Sequence, residues 1–128
     1  MTTHRKLLAL STALLISAGC GGSDTGQSPS EMTDQQAPPA QLVIDVNIAG
    51  GNVTPTNAQL QGKVSEPIIV RVNSDAADEL HVHSSPEHTF KIEPRTGQSF
   101  QFTVDVPGRV EIELHQLQRT IATVQVRP

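Results

Sequence analysis

The chain has 128 residues, with nine lysines and arginines against thirteen aspartates and glutamates, so its formal net charge is −4. This length allows one small domain, and the few scattered basic residues exclude the positive footprint of a nucleic-acid-binding protein. Tyrosine and tryptophan are absent and phenylalanine occurs three times, so any core must be mainly aliphatic.

Residues 1–19 have the features of an export signal. Two basic residues precede an apolar run at 7–16, which is too short to span a bilayer comfortably as a permanent helix. Small residues then lead to Cys20, the one cysteine of the chain. This segment resembles a bacterial lipoprotein signal peptide, although Ser17 stands where that family usually has leucine. The resemblance implies cleavage before Cys20 and acylation of it, so that the protein is exported and anchored to the membrane at its periplasmic or extracellular face. An ordinary secretory signal is the alternative.

The next segment, 20–40, begins with the cysteine that would be lipidated. The rest of it consists mainly of Gly, Ser, Asp, Gln, Thr and Pro. Such a composition buries too little apolar surface to offset the entropy of ordering, so we expect a flexible tether. About 20 residues of this kind have a root-mean-square reach of roughly 25 Å.

Residues 41–128 are predicted to form an all-β domain. Apolar and polar residues alternate with period two in about seven short segments that are separated by turn signals. No segment has a convincing helical period, although 57–61 could form one short turn. About seven strands of this length are typical of a β-sandwich.

The stretch Asp78–His83 holds the chemistry that the sequence singles out. Side chains alternate between the faces of a strand, so His81 and His83 share one face. A third histidine, His115, ends a later strand. Neutral imidazoles suit copper, zinc or nickel, so the three histidines could form a metal site. The alternative is a strand that simply exposes its polar face to water.

Three segments, Val53-Thr54-Pro55, Asp78–His83 and 107–115, together resemble the bacterial cupredoxin-like domain family. The resemblance covers most of 41–128 and implies a Greek-key β-sandwich whose metal end is formed by loops at one pole. It also implies a metal site in which His81 takes the place of the first copper histidine, and His83 and His115 match the histidine motif of a subgroup of the family. Blue-copper members of that family supply a thiolate where this chain has Leu114, so a thiolate-ligated blue site is excluded.

Other polar residues of this region are further candidates for the site. His88 could add a ligand, although an exposed loop histidine is the simpler interpretation. Glu113 could accept a hydrogen bond from a ligand histidine without binding the metal itself, or it could belong to a strand face that is exposed to water. Ser84, Ser85, His88 and Asp78 include the residue types of a hydrolytic triad, but no strand-turn-helix elbow frames a nucleophile. We therefore predict that the protein is not an enzyme.

The sequence thus favours a membrane-anchored cupredoxin-like module that binds copper, or less readily zinc, through His81, His83 and His115. Storage, delivery or sensing of the metal outside the cytoplasm would follow, with a metal-donor or metal-acceptor protein as partner. A metal-free structural or protein-binding sandwich is the alternative hypothesis. A copper-dependent redox enzyme would need an open coordination position beside a substrate cleft.

The lipidation hypothesis predicts that Cys20→Ala releases the protein from the membrane or leaves an uncleaved precursor. Two or more acyl chains anchor a protein far better than one, so the acylated wild type should stay in the detergent phase on phase separation. Partition of the wild type into the aqueous phase would contradict lipidation.

Overall fold

The computed structural model describes residues 38–128 as a β structure of nine strands. The predicted signal peptide, Cys20 and the tether up to residue 37 lie outside the described residues. The strands are β1 Leu42–Ala49, β2 Asn52–Thr54, β3 Ala58–Lys63, β4 Ile68–Ser74, β5 Asp78–His83, β6 His88–Ile92, β7 Gln98–Phe102, β8 Gly108–Leu114 and β9 Arg119–Arg127. Within the described range, no helix is long and apolar enough to cross a membrane.

Two sheets share one hydrophobic core. The first has the strand order β2-β1-β4-β7, and the second has the order β3-β9-β8-β5-β6. Strand β1 runs parallel to β4, and β3 runs parallel to β9, whereas the other neighbouring pairs are antiparallel. The chain crosses from one sheet to the other five times, so the predicted all-β sandwich class is confirmed.

Period-two alternation explains why these segments form strands with one buried face. In β4, Ile68, Val70 and Val72 are buried, while Arg71 and Asn73, which flank Val72, are exposed. Aliphatic side chains of both sheets meet in the interior, where Phe102 is the only aromatic residue below 5% exposure in the described range. The core is therefore aliphatic, as the composition predicts.

The ends of the sandwich differ, and we name them by their connections. The hairpin pole carries the β5–β6 hairpin at 84–87 and the start of β1, where the Leu42 N–H donates to the Pro67 carbonyl. The turn pole carries the β8–β9 turn at 115–118 and the start of β5 at Asp78. Strand β5 runs from the turn pole to the hairpin pole, because it follows the end of β4 and pairs antiparallel with β8.

An aromatic cluster closes the sandwich along the edge where β6 faces β7. Phe90 stacks on Phe100 with ring centroids 5.2 Å apart, and Phe102 lies 6.1 Å from Phe90. His88 joins them, with its ring 5.2 Å from that of Phe102. All three phenylalanines of the chain thus lie at one edge.

The structure adds two strands to the about seven that the sequence predicts, and both lie between residues 52 and 63. Residues 57–61, which could have formed a short helical turn, instead lie mainly in β3. Only Ala58, Leu60 and Gly62 face inward there, so the alternation is faint in the sequence. Parallel pairing with β9, a partner about 60 residues away, forms this strand. The prediction of a helical turn was wrong because it rested on the local sequence pattern alone, which does not show pairing with a distant strand.

We predict that Ile112→Ala lowers the free energy of unfolding by about 2–5 kcal/mol, because Ile112 is fully buried and its loss leaves a cavity. Val106→Ala is the control, since Val106 is 55% exposed and should change stability by no more than about 0.5 kcal/mol. Denaturant titrations followed by far-ultraviolet circular dichroism measure both, and equal effects would contradict the described core.

Candidate metal centre

Strand β5 presents His81 and His83 on the outer face of the five-stranded sheet. Leu80 and Val82, between and beside them, are fully buried in the core. The predicted sharing of one face by the two histidines is what the structure shows: their ring centroids lie 4.3 Å apart at an interplanar angle of 44°. The side chains are 24% and 44% exposed, so the imidazoles can be reached from solvent.

Strand β8 brings a carboxylate to the same place. It pairs antiparallel with β5, and His81 lies directly opposite Glu113. His81, His83 and Glu113 each offer a ligand atom, and these atoms all lie within 4.8 Å of one another. Among residues 38–128, this is the one group of three or more such side chains that could hold a metal ion.

Each imidazole has its own carboxylate partner. The Nε2 of His83 is hydrogen-bonded to Oε1 of Glu113 across the strand pair. The Nε2 of His81 lies 2.6 Å from Oε1 of Glu87, which is in the β5–β6 hairpin. The hydrogen bond from His81, and the positive charge of that ring when it is protonated, lower the pKa of Glu87.

The donor set fits a borderline divalent ion. Imidazole nitrogen binds Zn²⁺ at about 2.0–2.1 Å and carboxylate oxygen at about 2.0–2.2 Å, which sets ligand atoms roughly 3–4 Å apart. Separations of up to 4.8 Å in the cluster need only small side-chain rotations to reach that range. Two nitrogens and an oxygen suit Cu(II) or Zn(II), whereas Cu(I) prefers sulfur. The described residues contain neither cysteine nor methionine.

The cluster does not contain His115, the third ligand that the sequence suggested. His115 is exposed in the turn after β8, and its backbone N–H donates to the Glu79 carbonyl at 2.9 Å. It therefore lies beside Glu79, two residue pairs along the β5–β8 ladder from the pair of His81 and Glu113. The sequence predicts that Glu113 is a hydrogen-bond partner of a ligand histidine or a solvated side chain. In the structure, Glu113 is the third member of the cluster.

His88 does not lie in an exposed loop but begins β6, and its side chain is on the other face of the sheet. It pairs with Val82, whose side chain is buried, while the neighbouring Thr89 pairs with His81. The half-buried ring of His88 packs near Phe102, and its Nε2 lies 3.1 Å from the Thr103 carbonyl oxygen. The alternation of faces thus separates His88 from the cluster.

The turn pole, where the resemblance suggested loops around a metal, is closed by a carboxylate. Asp78 is 6% exposed. Its Oδ1 accepts hydrogen bonds from the backbone N–H groups of Glu79 at 2.7 Å and Gln116 at 2.8 Å, and its Oδ2 accepts one from Leu117 at 3.2 Å. Leu114, at the position of the family's thiolate, is 1% exposed in the core.

The residue types of a hydrolytic triad are dispersed over the domain. Asp78 is at the turn pole, whereas Ser84 is at the hairpin pole, where its Oγ donates to the Pro86 carbonyl. The His88 ring is turned toward Phe102. These three side chains do not form one site.

Glu87, which contacts the cluster through His81, is a residue that the sequence reasoning missed. It lies six residues from His81, and only the tight β5–β6 hairpin brings its carboxylate back over the strand. The Ser-Ser-Pro segment at 84–86 was a signal for such a turn, because serine and proline favour turns. Counting back across that hairpin could have placed Glu87 near His81.

Comparison with known proteins concerns the fold. No family model and no curated protein matches this chain. Among solved structures, it is similar to a copper-binding protein determined by NMR in the apo form, with a TM-score of 0.52 and 13% identity, covering 68% of this chain and 88% of that one. It is also similar to auracyanin B (TM-score 0.49, 13% identity, 71% and 91% covered). A purple cupredoxin from Nitrosopumilus maritimus gives a TM-score of 0.48 at 14% identity, with 67% and 99% covered.

Identities this low concern the fold alone, and the copper-binding protein has the highest TM-score of the three. Together with the two-sheet topology, that likeness confirms the predicted β-sandwich fold. The ligands of those proteins are not transferred to this chain by the likeness.

We predict that Asp78→Ala lowers the free energy of unfolding by about 1–3 kcal/mol, since three backbone N–H groups lose their acceptor. Asp45→Ala is the matched control: Asp45 is exposed and its closest charged contact, with Arg71, is 3.9 Å long. Such surface pairs contribute about 0–1 kcal/mol. Thermal and denaturant unfolding compare the variants, and an Asp78→Ala effect no larger than that of Asp45→Ala would contradict the anchoring role.

Proposed function

We propose that the protein is a membrane-anchored, extracytoplasmic module that binds copper, or less readily zinc, through His81, His83 and Glu113. The observation that carries this proposal is the convergence of two imidazoles and a carboxylate within 4.8 Å on the outer sheet face. The anchor is inferred from the signal-like segment and Cys20, which lie outside the described residues.

The position of the cluster supports reversible binding of an ion. The ligand residues lie on two neighbouring strands, so the backbone ladder sets their spacing before any metal arrives. Their side chains remain between 24% and 44% exposed, so water and a partner's ligands can reach an ion held there. Storage, delivery and sensing outside the cytoplasm all need such access, and a metal-donor or metal-acceptor protein is the partner that this function implies.

No described feature of the cluster supports catalysis on an organic substrate. The ligands project from a sheet face, and the cavities along it are shallow openings lined by few residues, such as Glu113, His115 and Gln118. The proposal is therefore a binding module and does not include a redox enzyme.

We predict that the full chain carrying Cys20→Ser, which removes the single thiol, binds one Cu(II) with weak d–d absorption and no intense thiolate band. Changes to residues that contact only the ligands weaken metal binding by about 10–100-fold. His83→Ala removes a ligand, so it should weaken Cu(II) binding by more than that. Binding should also weaken as the pH falls, because imidazole must be neutral to coordinate. Competition titrations with a chelator measure these affinities.

Two other histidines serve as matched controls. His88 lies on the opposite face and His115 lies outside the cluster, so His88→Ala and His115→Ala should leave Cu(II) affinity nearly unchanged. A strong loss with His115→Ala would instead support the three-histidine site that the sequence suggested. Saturation at 100 times the dissociation constant should stabilise the fold by about 2.7 kcal/mol. A thermal shift with copper that persists in His83→Ala would exclude this cluster as the site.

A further inference from the structure

The carboxylate of Glu87 is held against the cluster by the β5–β6 hairpin. Its Oε1 is 2.6 Å from Nε2 of His81, while its side chain is 62% exposed. The hairpin itself is tied down, because the Ser84 N–H donates to the Val82 carbonyl at 3.0 Å and the Asp105 N–H donates to the Ser85 carbonyl at 3.1 Å. Glu87 is therefore an exposed side chain on a backbone that hydrogen bonds hold in place.

Glu87 and Glu113 differ from nearby acidic residues in their partners. Glu111 is paired with Arg109 at 2.8 Å, and Glu93 is paired with Arg95 at 3.0 Å. Among residues 38–128, neither Glu87 nor Glu113 has a lysine or arginine within 4.0 Å, and each instead contacts an imidazole. When both imidazoles are neutral, as coordination requires, the two carboxylates thus have no fixed cation beside them.

We propose that Glu87 is a fourth ligand, and that the site binds a divalent ion such as Cu(II) or Zn(II) in preference to Cu(I). This inference rests on the proposed function, since it assumes that His81 and His83 ligate a metal. It assigns two imidazole nitrogens and two carboxylate oxygens to one ion.

The hydrogen-bonded pairs make this arrangement sterically accessible. An ion that replaces the shared proton of an imidazole–carboxylate pair binds both atoms, which then lie roughly 3 Å apart. The His81 and Glu87 atoms are already 2.6 Å apart, so only a small outward rotation of the exposed Glu87 side chain is needed. The cluster of His81, His83 and Glu113 does not include Glu87, because the Glu87 oxygens do not lie within 4.8 Å of all three of its ligand atoms.

Charge and ligand type select the oxidation state. A divalent ion neutralises the two carboxylates, whereas Cu(I) would leave one negative charge at the site. Oxygen ligands suit Cu(II) and Zn(II), and Cu(I) is selected by thiolate and thioether sulfur. The described residues contain no sulfur.

The test compares Glu87→Gln with Glu93→Gln in the full chain carrying Cys20→Ser. Both changes replace an exposed glutamate by its neutral isostere, but Glu93 contacts Arg95 at the other end of β6. Cu(II) affinity is measured by chelator competition and the ligand set by electron paramagnetic resonance. We expect Glu87→Gln to lower the affinity at least about tenfold and to shift the parallel g value and copper hyperfine splitting, with Glu93→Gln unchanged.

A second arm tests the oxidation state with Cu(I), supplied anaerobically with ascorbate and competed against bathocuproine disulfonate. The wild-type site should lose Cu(I) to this chelator while it retains Cu(II) or Zn(II) against a chelator of comparable strength. Retention of Cu(I) as tight as that of Cu(II) would overturn the divalent preference.

The outcomes separate this inference from the proposed function. If the wild-type site binds no Cu(II) or Zn(II), the proposed function fails. If it binds Cu(II) but Glu87→Gln has wild-type affinity and spectrum, Glu87 is not a ligand although the site exists. A loss of affinity with an unchanged spectrum would also overturn the ligand assignment, because Glu87 would then only position His81.

Discussion

The buried carboxylate of Asp78 is the interaction on which the arrangement of the outer face depends. By accepting backbone hydrogen bonds from Glu79, Gln116 and Leu117, it joins the start of β5 to the turn that follows β8. That junction lies at one end of the β5–β8 ladder and supports its register. A slip of one residue would exchange the faces of all side chains in a strand. The meeting of His81 with Glu113 on the outer face therefore depends on contacts at the turn pole.

This use of the turn pole separates the fold from the chemistry that its family resemblance suggests. The pole is filled by a carboxylate with its hydrogen-bond donors and by the core side chain of Leu114, and the imidazoles of the candidate cluster are found elsewhere. They lie on the sheet face, where His81 and His83 each contact a glutamate. A shared sandwich architecture can thus carry a candidate metal cluster of different composition at a different place, because function belongs to sites and not to folds.

Local pattern was sufficient for the strands with strong alternation and for the shared face of His81 and His83, because period two is a property of the chain itself. It was insufficient for β3, whose Ala58 and Gly62 give little contrast with their polar neighbours. It also failed for the third member of the cluster. The choice between Glu113 and His115 depends on the register of β5 against β8, which is set by contacts between residues about 30–40 positions apart. The position of Glu87 required the hairpin geometry in addition.

The direction of β1 has a consequence for how the domain is presented. Leu42 lies at the hairpin pole, so any chain upstream of Gln41 joins the sandwich at the end that carries the 84–87 hairpin. The six residues of β5 extend about 20 Å from that end to the turn pole. His83 ends β5 at this same pole, and Glu87 lies in the hairpin itself. The candidate cluster is therefore close to the end at which the chain enters the sandwich, and Asp78 is at the opposite end.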